Sequence, residues 1–451
     1  MSLWRLDHLK SKLSRKKEIK SWIVSTEHLE RRERYFMQEM GKGGLVVDQD
    51  RDVEGEAVFA RIFVDIGKEG RQGEIVKRFF KTLSLDEQID SAVQSAQQTD
   101  HEVWTMPTAL PESVPEVKSY DPKIREDLES VMRELTNKIG EEVLKKRKAS
   151  FNSSELFISN HTRELHFHHG GVHRSNQSRI YLEAAYSGKK DEYLSRKWAV
   201  GLEDLSVHEL FEEAAERSLS IDEVVKTPGG VYPVLVDHEV SGLIMNDAAS
   251  WMSGANVYMK FPHRNVGDDW VTGAKGDLIT MSLDPTLGLM ADTSALSNSG
   301  ALQTFLKLIE KNKVKTWSTD NQYAQYLKTV PTSVRGSVVV SPGSTTKADM
   351  LKKYPKVLEI LQFSALFTQP TTGTFSSEIR LGLLYENGKP SKFVKGGSLS
   401  GSLFENFTNA TFSKELVKHN EFESGFGFGT GGGRAYYGPA FMLLNDVSVA
   451  G

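Results

Sequence analysis

The segment SSEIRLGLLYENGKPSKFVKG, residues 376–396, predicts a β-hairpin in the C-terminal half of the chain. Two strand-like runs flank the dipeptide Asn387-Gly388. Both residue types tolerate positive φ angles, which a type I′ turn requires at its two central positions. The last run, AFMLLNDVSVAG (residues 440–451), indicates a terminal strand. Helical patterns are few in this half, after residue 236, at 320–328 and at 346–362, so we expect a β-rich C-terminal domain, barrel-like or sandwich-like.

Long helical patterns dominate the N-terminal half. Apolar residues recur every three or four positions, as on the buried face of a helix, at residues 3–22, 84–98, 121–146 and 205–219. Ser84, with Glu87 three residues later, has the spacing of a capping box, and Pro122 suits a first helical turn. Short strand-like runs occupy residues 57–67, 154–160, 164–169 and 178–186. We therefore expect an α+β fold, with long helices packed on a mixed sheet at residues 1–228 and the β-rich domain at residues 229–451.

The composition is that of an ordinary globular protein with 451 residues and a formal net charge of -4. The basic runs at residues 10–20 and 145–148 lie in or beside predicted helices with acidic neighbours, so we expect solvated helix faces and no nucleic-acid partner. No apolar run is long enough to span a bilayer, and the N-terminal segment lacks the apolar core of a secretory signal. We expect no membrane partner and a cytoplasmic location. The chain has no cysteine, which excludes disulfides and cysteine-ligated zinc.

The segment VDHEVSGLIMND, residues 236–247, begins a helical pattern with a His-Glu pair. In metallopeptidases such a histidine binds zinc and the glutamate activates a water molecule. His238 and Glu239 are therefore candidate catalytic residues, with His238 as a candidate zinc ligand. The same dipeptide also occurs at residues 101–102 and 208–209, so a chance match is the competing interpretation.

The C-terminal half resembles the TldD/PmbA family, which was once named for modulation of DNA gyrase. The resemblance rests on the order of GGVYPVLVD (residues 229–237) before a helix, the hairpin segment at residues 372–407, and YGPAFMLLNDVSVAG at residues 437–451. The N-terminal half agrees mainly in its order of elements. The resemblance implies two branches. TldD-type chains are metallopeptidases whose motif runs His-Glu, three residues, His, with a cysteine from a loop near the C-terminus completing the metal site, whereas PmbA-type chains share the fold without those ligands.

The family pattern is degenerate in this chain. Leu243 stands where the second histidine is expected, although Gly242 matches the glycine of the motif. The cysteine loop would fall in SGFGFGTGGG, near Gly429, and no cysteine is present. A catalytic zinc needs about three protein ligands, so we expect a metal-free, PmbA-like chain without a cofactor, in which Leu243 packs into the core. The alternative is an active zinc metallopeptidase with rearranged ligands around His238 and Glu239.

The resemblance also implies an assembly. PmbA-type and TldD-type chains are thought to enclose a chamber that cleaves extended peptides, so we expect a homodimer or a heterodimer with a TldD-type chain. The chain would act as an accessory or substrate-binding subunit in proteolysis, holding an extended or unfolded peptide at a sheet edge. A second alternative is an interaction adaptor of the gyrase-modulator type. Phe426 and Phe428 are candidates to line the peptide groove. The glycine spacing at residues 425–434 also resembles a phosphate loop, but no helical pattern follows it.

A second candidate metal site is the histidine-rich segment HTRELHFHHGGVHR, residues 161–174. On a strand His166 and His168 point the same way, and a turn at Gly170-Gly171 would bring His173 back beside them. Three imidazoles suit zinc, copper or nickel. The competing interpretation is an exposed hairpin with solvated histidines.

Overall fold

The computed structural model describes residues 6–39, 44–261, 264–369, 372–422 and 433–451. The α-helices are α1 Leu6–Arg15, α2 Leu85–Gln97, α3 Pro122–Glu126, α4 Leu128–Val143, α5 Val207–Ile221, α6 His238–Trp251, α7 Gly254–Tyr258, α8 Asn321–Tyr326, α9 Lys347–Lys352 and α10 Leu403–Asn406. The strands of the N-terminal half are β1 Ile19–Gln38, β2 Leu45–Asp65, β3 Arg71–Phe79, β4 His101–Glu102, β5 Ser150–Phe167, β6 Val172–Ser187, β7 Glu192–Ala199 and β8 Val225–Lys226.

The strands of the C-terminal half are β9 Gly230–Asp237, β10 Met281–Asp284, β11 Leu306–Glu310, β12 Lys313–Val314, β13 Ser337–Val340, β14 Lys356–Gln369, β15 Thr374–Glu386, β16 Lys389–Lys395, β17 Ser398–Ser402, β18 Thr411–Phe412, β19 Leu416–Phe422, β20 Gly433–Pro439 and β21 Phe441–Ala450. This mixture of helices and sheets confirms the predicted α+β class. None of the helices in the described part of the chain has the length and apolarity needed to cross a membrane.

The larger sheet combines strands from both halves of the chain in the order β12-β11-β10-β13-β20-β19-β7-β6-β5-β1-β2-β3-β4. Strands β1 to β7 pair antiparallel, and the parallel pair β13–β20 makes the whole sheet mixed. The two halves join where Asn420 of β19 pairs with Trp198 of β7. The division at residue 228 stays a prediction, and this sheet continues across it.

Helices cover one face of this sheet. The apolar sides of α4 and α5 pack on β5 and β6, with Met132, Leu135, Phe211, Ile158 and Ile180 almost fully buried between them. Asp127 interrupts the helix predicted over residues 121–146 because its side chain caps a new helix at Ser130. Pro122 occupies the first turn of α3, as predicted.

The N-terminal helix is shorter than the predicted one. Leu6, Leu9 and Leu13 of α1 are buried, as its apolar spacing predicts. Ile19, which the helical pattern included, instead begins strand β1. The β-branched and aromatic run around Trp22 favours a strand over a helix, so strand pairing replaces the last predicted turns.

The second sheet closes into a barrel. Its order β14-β9-β21-β17-β15, together with the pairing of β14 with β15, makes a ring of five strands. The hairpin β15–β16 is confirmed, with φ of 51° at Asn387 and 76° at Gly388. Residues 356–362, predicted as helix, form the start of β14, because Pro355 follows α9 and β-branched residues follow the proline.

Helix α6 lies between the barrel and the larger sheet. Ile244 and Trp251 on α6 pack in one core cluster with Val234 of β9, Ile360 of β14 and Tyr436 of β20. The first turn of α6 therefore lies at the junction of the two sheets.

Candidate functional site

The His-Glu pair lies in the first turn of α6. Asp237 ends β9, and its Oδ1 accepts hydrogen bonds from the backbone N–H groups of Glu239 (3.0 Å) and Val240 (3.3 Å). A carboxylate at this position satisfies amide groups that have no partner within the helix and interacts favourably with the helix dipole. The helix therefore starts at His238, and both residues of the pair reach the junction between the sheets.

A cavity of about 790 Å³ occupies this junction. Its walls come from α5, β7, the start of α6, β14 and the end of β19. The residues that line it include His238, Glu239, Leu243, His419, Glu421 and Arg434.

His419 of β19 is a second histidine at this site, and the sequence analysis missed it. Its ring centroid lies 5.3 Å from that of His238, and the two ring planes make an angle of 71°. Gly242 permits this approach: a Cβ atom there would lie 3.3 Å from Cδ2 of His419 and 3.2 Å from Cβ of Tyr436. The glycine of the motif thus has a packing role, because α6 crosses β19 and β20 at this residue.

The environment keeps the two imidazoles neutral at pH 7. Burial lowers the pKa of His238, although the carboxylate of Asp237 opposes this shift. Burial, followed by repulsion from His238, lowers the pKa of His419 to about 3. The side chain of Glu239 is accessible to solvent and lines the cavity. Desolvation by the surrounding cavity walls, followed by the neighbouring Asp237, raises the pKa of Glu239 to about 8.

The residues at the motif positions do not fit the family's zinc site. Leu243, in the position of the second histidine, is half-buried and lines the same cavity as His238. The expectation that Leu243 packs into the core is therefore wrong, because this side of α6 faces the cavity. Leucine offers no donor atom, and no cysteine exists to supply a thiolate. Gly429, Phe426 and Phe428 lie outside the described residues.

A different group could hold a metal ion. Among the described residues, ligand atoms of Glu142, His208 and Glu212 lie within 4.8 Å of one another. Arg147 already pairs with both carboxylates at 2.6 Å, and Lys145 pairs with Glu142 at 2.6 Å. Burial alone would raise the pKa of Glu142, but these hydrogen bonds and that from His208 lower it to about 2. An ion-pair network occupies the donor atoms, so a metal would have to displace Arg147.

The histidines of residues 161–173 do not come together as predicted. The hairpin forms, but His173 pairs with Leu165 across it. Residues opposite each other share a face, whereas neighbours along a strand alternate, so His173 and His166 lie on opposite faces of the sheet. His166 is near Glu164 (3.3 Å), and His168, beyond the strand end, stacks on Trp22. This register separates His166 from His173, so the prediction that His166, His168 and His173 form one metal site is wrong.

Strand β7 presents an open edge to the cavity at the junction. It pairs with β6 over its whole length, but on its other edge the pairing among the described residues is that of Trp198 with Asn420. Gln362 of β14 donates from its side-chain amide to the backbone oxygen of Leu194 (2.9 Å), and Tyr193 Oη donates to Leu361 O (3.3 Å). Because backbone groups alternate between the two edges of a strand, Arg196 directs its N–H and C=O to the same edge as Leu194.

Comparison with known proteins identifies the family. A family model described as the PmbA/TldA metallopeptidase C-terminal domain matches residues 229–451. A search of curated proteins finds no match. Similar solved structures include a candidate modulator of DNA gyrase from Bacteroides thetaiotaomicron VPI-5482, with a TM-score of 0.76 at 17% identity over 100% of both chains. TldE from Thermococcus kodakarensis has a TM-score of 0.75 at 16% identity over 98% of both chains.

A candidate modulator of a DNA gyrase from Thermotoga maritima MSB8 has a TM-score of 0.73 at 17% identity over 99% of both chains. At such identities the likeness shows that the fold is shared along the whole length of the chain. The sequence match over residues 229–451 adds the family to the fold. The chain therefore belongs to the TldD/PmbA family.

Proposed function

We propose that this chain is a PmbA-like, non-catalytic member of its family that binds extended peptides and serves as an accessory subunit in proteolysis. The observation that carries the proposal is the cavity at the start of α6. It retains His238 and Glu239, but it presents Leu243 where the family motif has its second histidine. The chain thus has a cavity that can hold a ligand but lacks the metal ligands of the family motif.

The open edge of β7 supports peptide binding. A strand with free backbone groups recruits an extended chain by β-augmentation, and the backbone hydrogen bonds tolerate many side chains. The free edge around Arg196 lies within the cavity wall. Side-chain hydrogen bonds, rather than a strand ladder, connect β7 to β14. No strand of the described part of the chain pairs with β7 at Arg196 on this side, and we propose that a guest strand binds there.

The charges of the cavity indicate which peptides it accepts. The acidic residues of the cavity outnumber its basic residues even without Glu239, whose raised pKa keeps it largely protonated at pH 7. The other acidic residues are Glu203, Asp204, Glu209, Glu213, Asp237 and Glu421, and the basic residues are Arg196, Lys197, Arg380 and Arg434. Cationic side chains of a guest gain from this imbalance. We therefore propose that the preferred peptides carry Lys or Arg and lack stable structure.

The proposed assembly is a dimer, either of two copies or with a TldD-type chain. Because this chain lacks a complete set of metal ligands, it would contribute to proteolysis by holding a peptide for a partner chain that has the complete set.

One alternative function has support from the structure. The closeness of His238 and His419 is compatible with a zinc site that uses rearranged ligands. A gyrase-adaptor role rests only on the names of two proteins with the same fold, and we do not propose it.

The test removes one backbone donor from the open edge. Proline at residue 196 deletes the N–H that points away from β6, a position where an edge strand tolerates proline. The matched control is Arg196→Ala, which removes the side chain and keeps the N–H. Fluorescence anisotropy with a labelled, unstructured Lys-rich peptide should show binding to the wild type. Arg196→Pro should weaken it about three- to tenfold relative to Arg196→Ala, the value of one backbone hydrogen bond.

Two results would contradict the proposal. The first is equal peptide affinity of the two variants, both shown to be folded by circular dichroism. The second is cleavage of the peptide by the purified chain alone in a zinc-dependent reaction, which would make the chain an enzyme.

A further inference from the structure

We infer that a second cavity, on the opposite face of the larger sheet from the helices, binds a small oxyanion, either a carboxylate or a phosphate. This cavity has a volume of about 330 Å³ and lies between strands β1, β5 and β6 and the segment 291–298. Ile180 packs against the helices, and its neighbour Arg179 therefore points to the other face. The inference goes beyond the proposed function and does not rest on it.

Four arginine residues line this cavity, and two of them, Arg163 and Arg179, make hydrogen bonds to neutral partners. Arg163 donates from Nε to Ser25 Oγ (3.0 Å) and from Nη1 to Asn298 Oδ1 (2.8 Å). Its closest carboxylate is Glu27, at 3.6 Å. The hydrogen-bond partners of this guanidinium are thus neutral, and its charge is only partly balanced.

Arg179 has a similar environment. Its Nε donates to the amide oxygen of Gln177 (3.0 Å), and its guanidinium lies 4.5 Å from the centre of the Phe422 ring. Burial and the nearby Arg31 lower the pKa of Arg179 to about 10, against the opposing effect of Glu27. Arg179 remains charged at neutral pH and accounts for part of a concentrated positive potential.

Among the described residues, Arg163 and Arg179 have no carboxylate within hydrogen-bond distance. The lining also contains the carboxylates Glu27 and Glu116, and it contains Arg174, which pairs with Glu164 at 3.8 Å. Arg335 pairs with Asp292 at 3.0 Å outside the lining. Burial raises the pKa of Glu27, and its Oε1, which lies 3.6 Å from Arg163 Nε, has no hydrogen-bond partner.

An oxyanion in the cavity would accept hydrogen bonds from the guanidinium groups of Arg163 and Arg179. The planar guanidinium group presents donors in a fork that matches the oxygen atoms of a carboxylate or a phosphate. Removal from bulk water strengthens this attraction. The volume of about 330 Å³ is at the lower end for small-ligand sites, which suits inorganic phosphate or a short carboxylate.

The experiment titrates the protein with inorganic phosphate and, separately, with glutarate, in buffers brought to equal ionic strength with sodium chloride. Isothermal titration calorimetry should detect saturable binding of at least one of the two anions. Arg179→Gln and Arg163→Gln should each weaken it by roughly tenfold or more, as expected for a charge-assisted contact. The matched control, Arg133→Gln, changes an exposed arginine of α4 and should leave binding unchanged.

A second readout uses the wild-type protein alone, so it does not depend on the folding of a variant. Phenylglyoxal modifies arginine, and mass spectrometry locates the modified residues. The bound anion should protect Arg163 and Arg179 and leave Arg133 unprotected. Phosphate binding without glutarate binding would assign a phosphate ligand, and the reverse result a carboxylate ligand. Absence of saturable binding by both anions, or protection that sodium chloride reproduces, would overturn the inference.

Discussion

His238 of α6 and His419 of β19 face each other edge to plane, with their ring centroids 5.3 Å apart. The contact joins the helix that carries the degenerate His-Glu motif to a strand that no sequence motif had marked. Both imidazoles are neutral at pH 7, because burial lowers their pKa values. Two neutral imidazoles resemble the start of a zinc site, but Leu243 occupies the motif position of the second histidine and supplies no ligand atom.

The first prediction concerns metal content. Protein purified without chelators should carry much less than one zinc per chain, because a catalytic zinc needs about three protein ligands and Leu243 supplies none. Elemental analysis measures this content directly. His238→Ala and His419→Ala should leave the small residual content unchanged. One zinc per chain, lost in both variants, would instead establish the rearranged zinc site.

The second prediction is that Leu243→His alone will not create a peptidase. Leu243 faces the cavity, so the new imidazole would reach the right space, but the thiolate would still be absent. The half-buried position should limit the cost in stability to about 1–2 kcal/mol. Peptide hydrolysis with and without added zinc is the assay, and Leu243→Gln controls for a polar side chain. Zinc-dependent turnover in the histidine variant would show that one restored ligand is enough.

Local signals predicted the elements correctly where neighbouring residues determine the conformation. Ser84 caps α2 by accepting from the N–H of Glu87, as the capping-box spacing predicts. Asn387 and Gly388 adopt the positive φ angles of the predicted turn. In contrast, the separate strands predicted at residues 154–160 and 164–169 merge into one strand, β5, which ends at Phe167. The polar residues 161–163 between the two runs stay in the strand because the backbones of β1 and β6 pair with them on both sides.

The candidate site was only partly predictable for the same reason. Asp237, His238 and Glu239 are adjacent in sequence, and their helical turn follows from local rules. The approach of His419 depends on how α6 crosses β19 and β20, and Gly242 permits that crossing. The sequence showed that Gly242 matches the glycine of the motif, but it did not show that Gly242 contacts His419. The open edge of β7 likewise follows from which strands are paired, a long-range property.

The third prediction compares two helical glycines. Replacing glycine by alanine within a helix stabilises it by roughly 0.5–1 kcal/mol if the methyl group fits. Gly140→Ala should show this gain, because its Cβ would meet only Leu45 Cδ2, at 3.9 Å. Gly242→Ala should instead destabilise the protein, because its Cβ would lie 3.2 Å from the fully buried Tyr436.

Denaturant unfolding of both alanine variants beside the wild type measures the difference. The two substitutions make the same chemical change, so their contrast isolates packing from helix propensity. A gain of similar size in both variants would show that α6 can move away from β20 at little cost. In that case Gly242 would have no packing role.

The fourth prediction concerns acid. The network around Glu142 holds its pKa at about 2 in the folded protein, below the usual value of about 4.3 for an unfolded chain. Its ionised form therefore contributes stability above about pH 4.3, and this contribution is lost as the pH falls towards 2. Glu142→Gln should destabilise the protein by about 2–3 kcal/mol at pH 7, because it leaves Arg147 without one of its buried partners.

The difference between Glu142→Gln and the wild type should shrink as the pH falls from 4.5 to 2.5. Thermal unfolding of both proteins at matched pH values measures it, and the comparison cancels the contribution of all other titrating groups. A difference that stays constant over this range would show that the ionisation of Glu142 is not linked to folding.

The last prediction concerns assembly. A metal-free chain of this family has a use in proteolysis only if it joins a partner or retains a peptide, so we expect a dimer in which the C-terminal β-rich half supplies much of the contact. A stable interface should bury more than about 1,000 Å² in total, with fewer charges at its centre than at its rim. Light scattering at micromolar concentration, before and after mixing with a TldD-type chain of the same organism, is the measurement. A self-dimer that ignores this partner would favour a self-contained binding protein, whereas a monomer that captures it would favour the accessory subunit. A chain that stays monomeric in both conditions would contradict the proposed assembly, because no second chain would then complete the site.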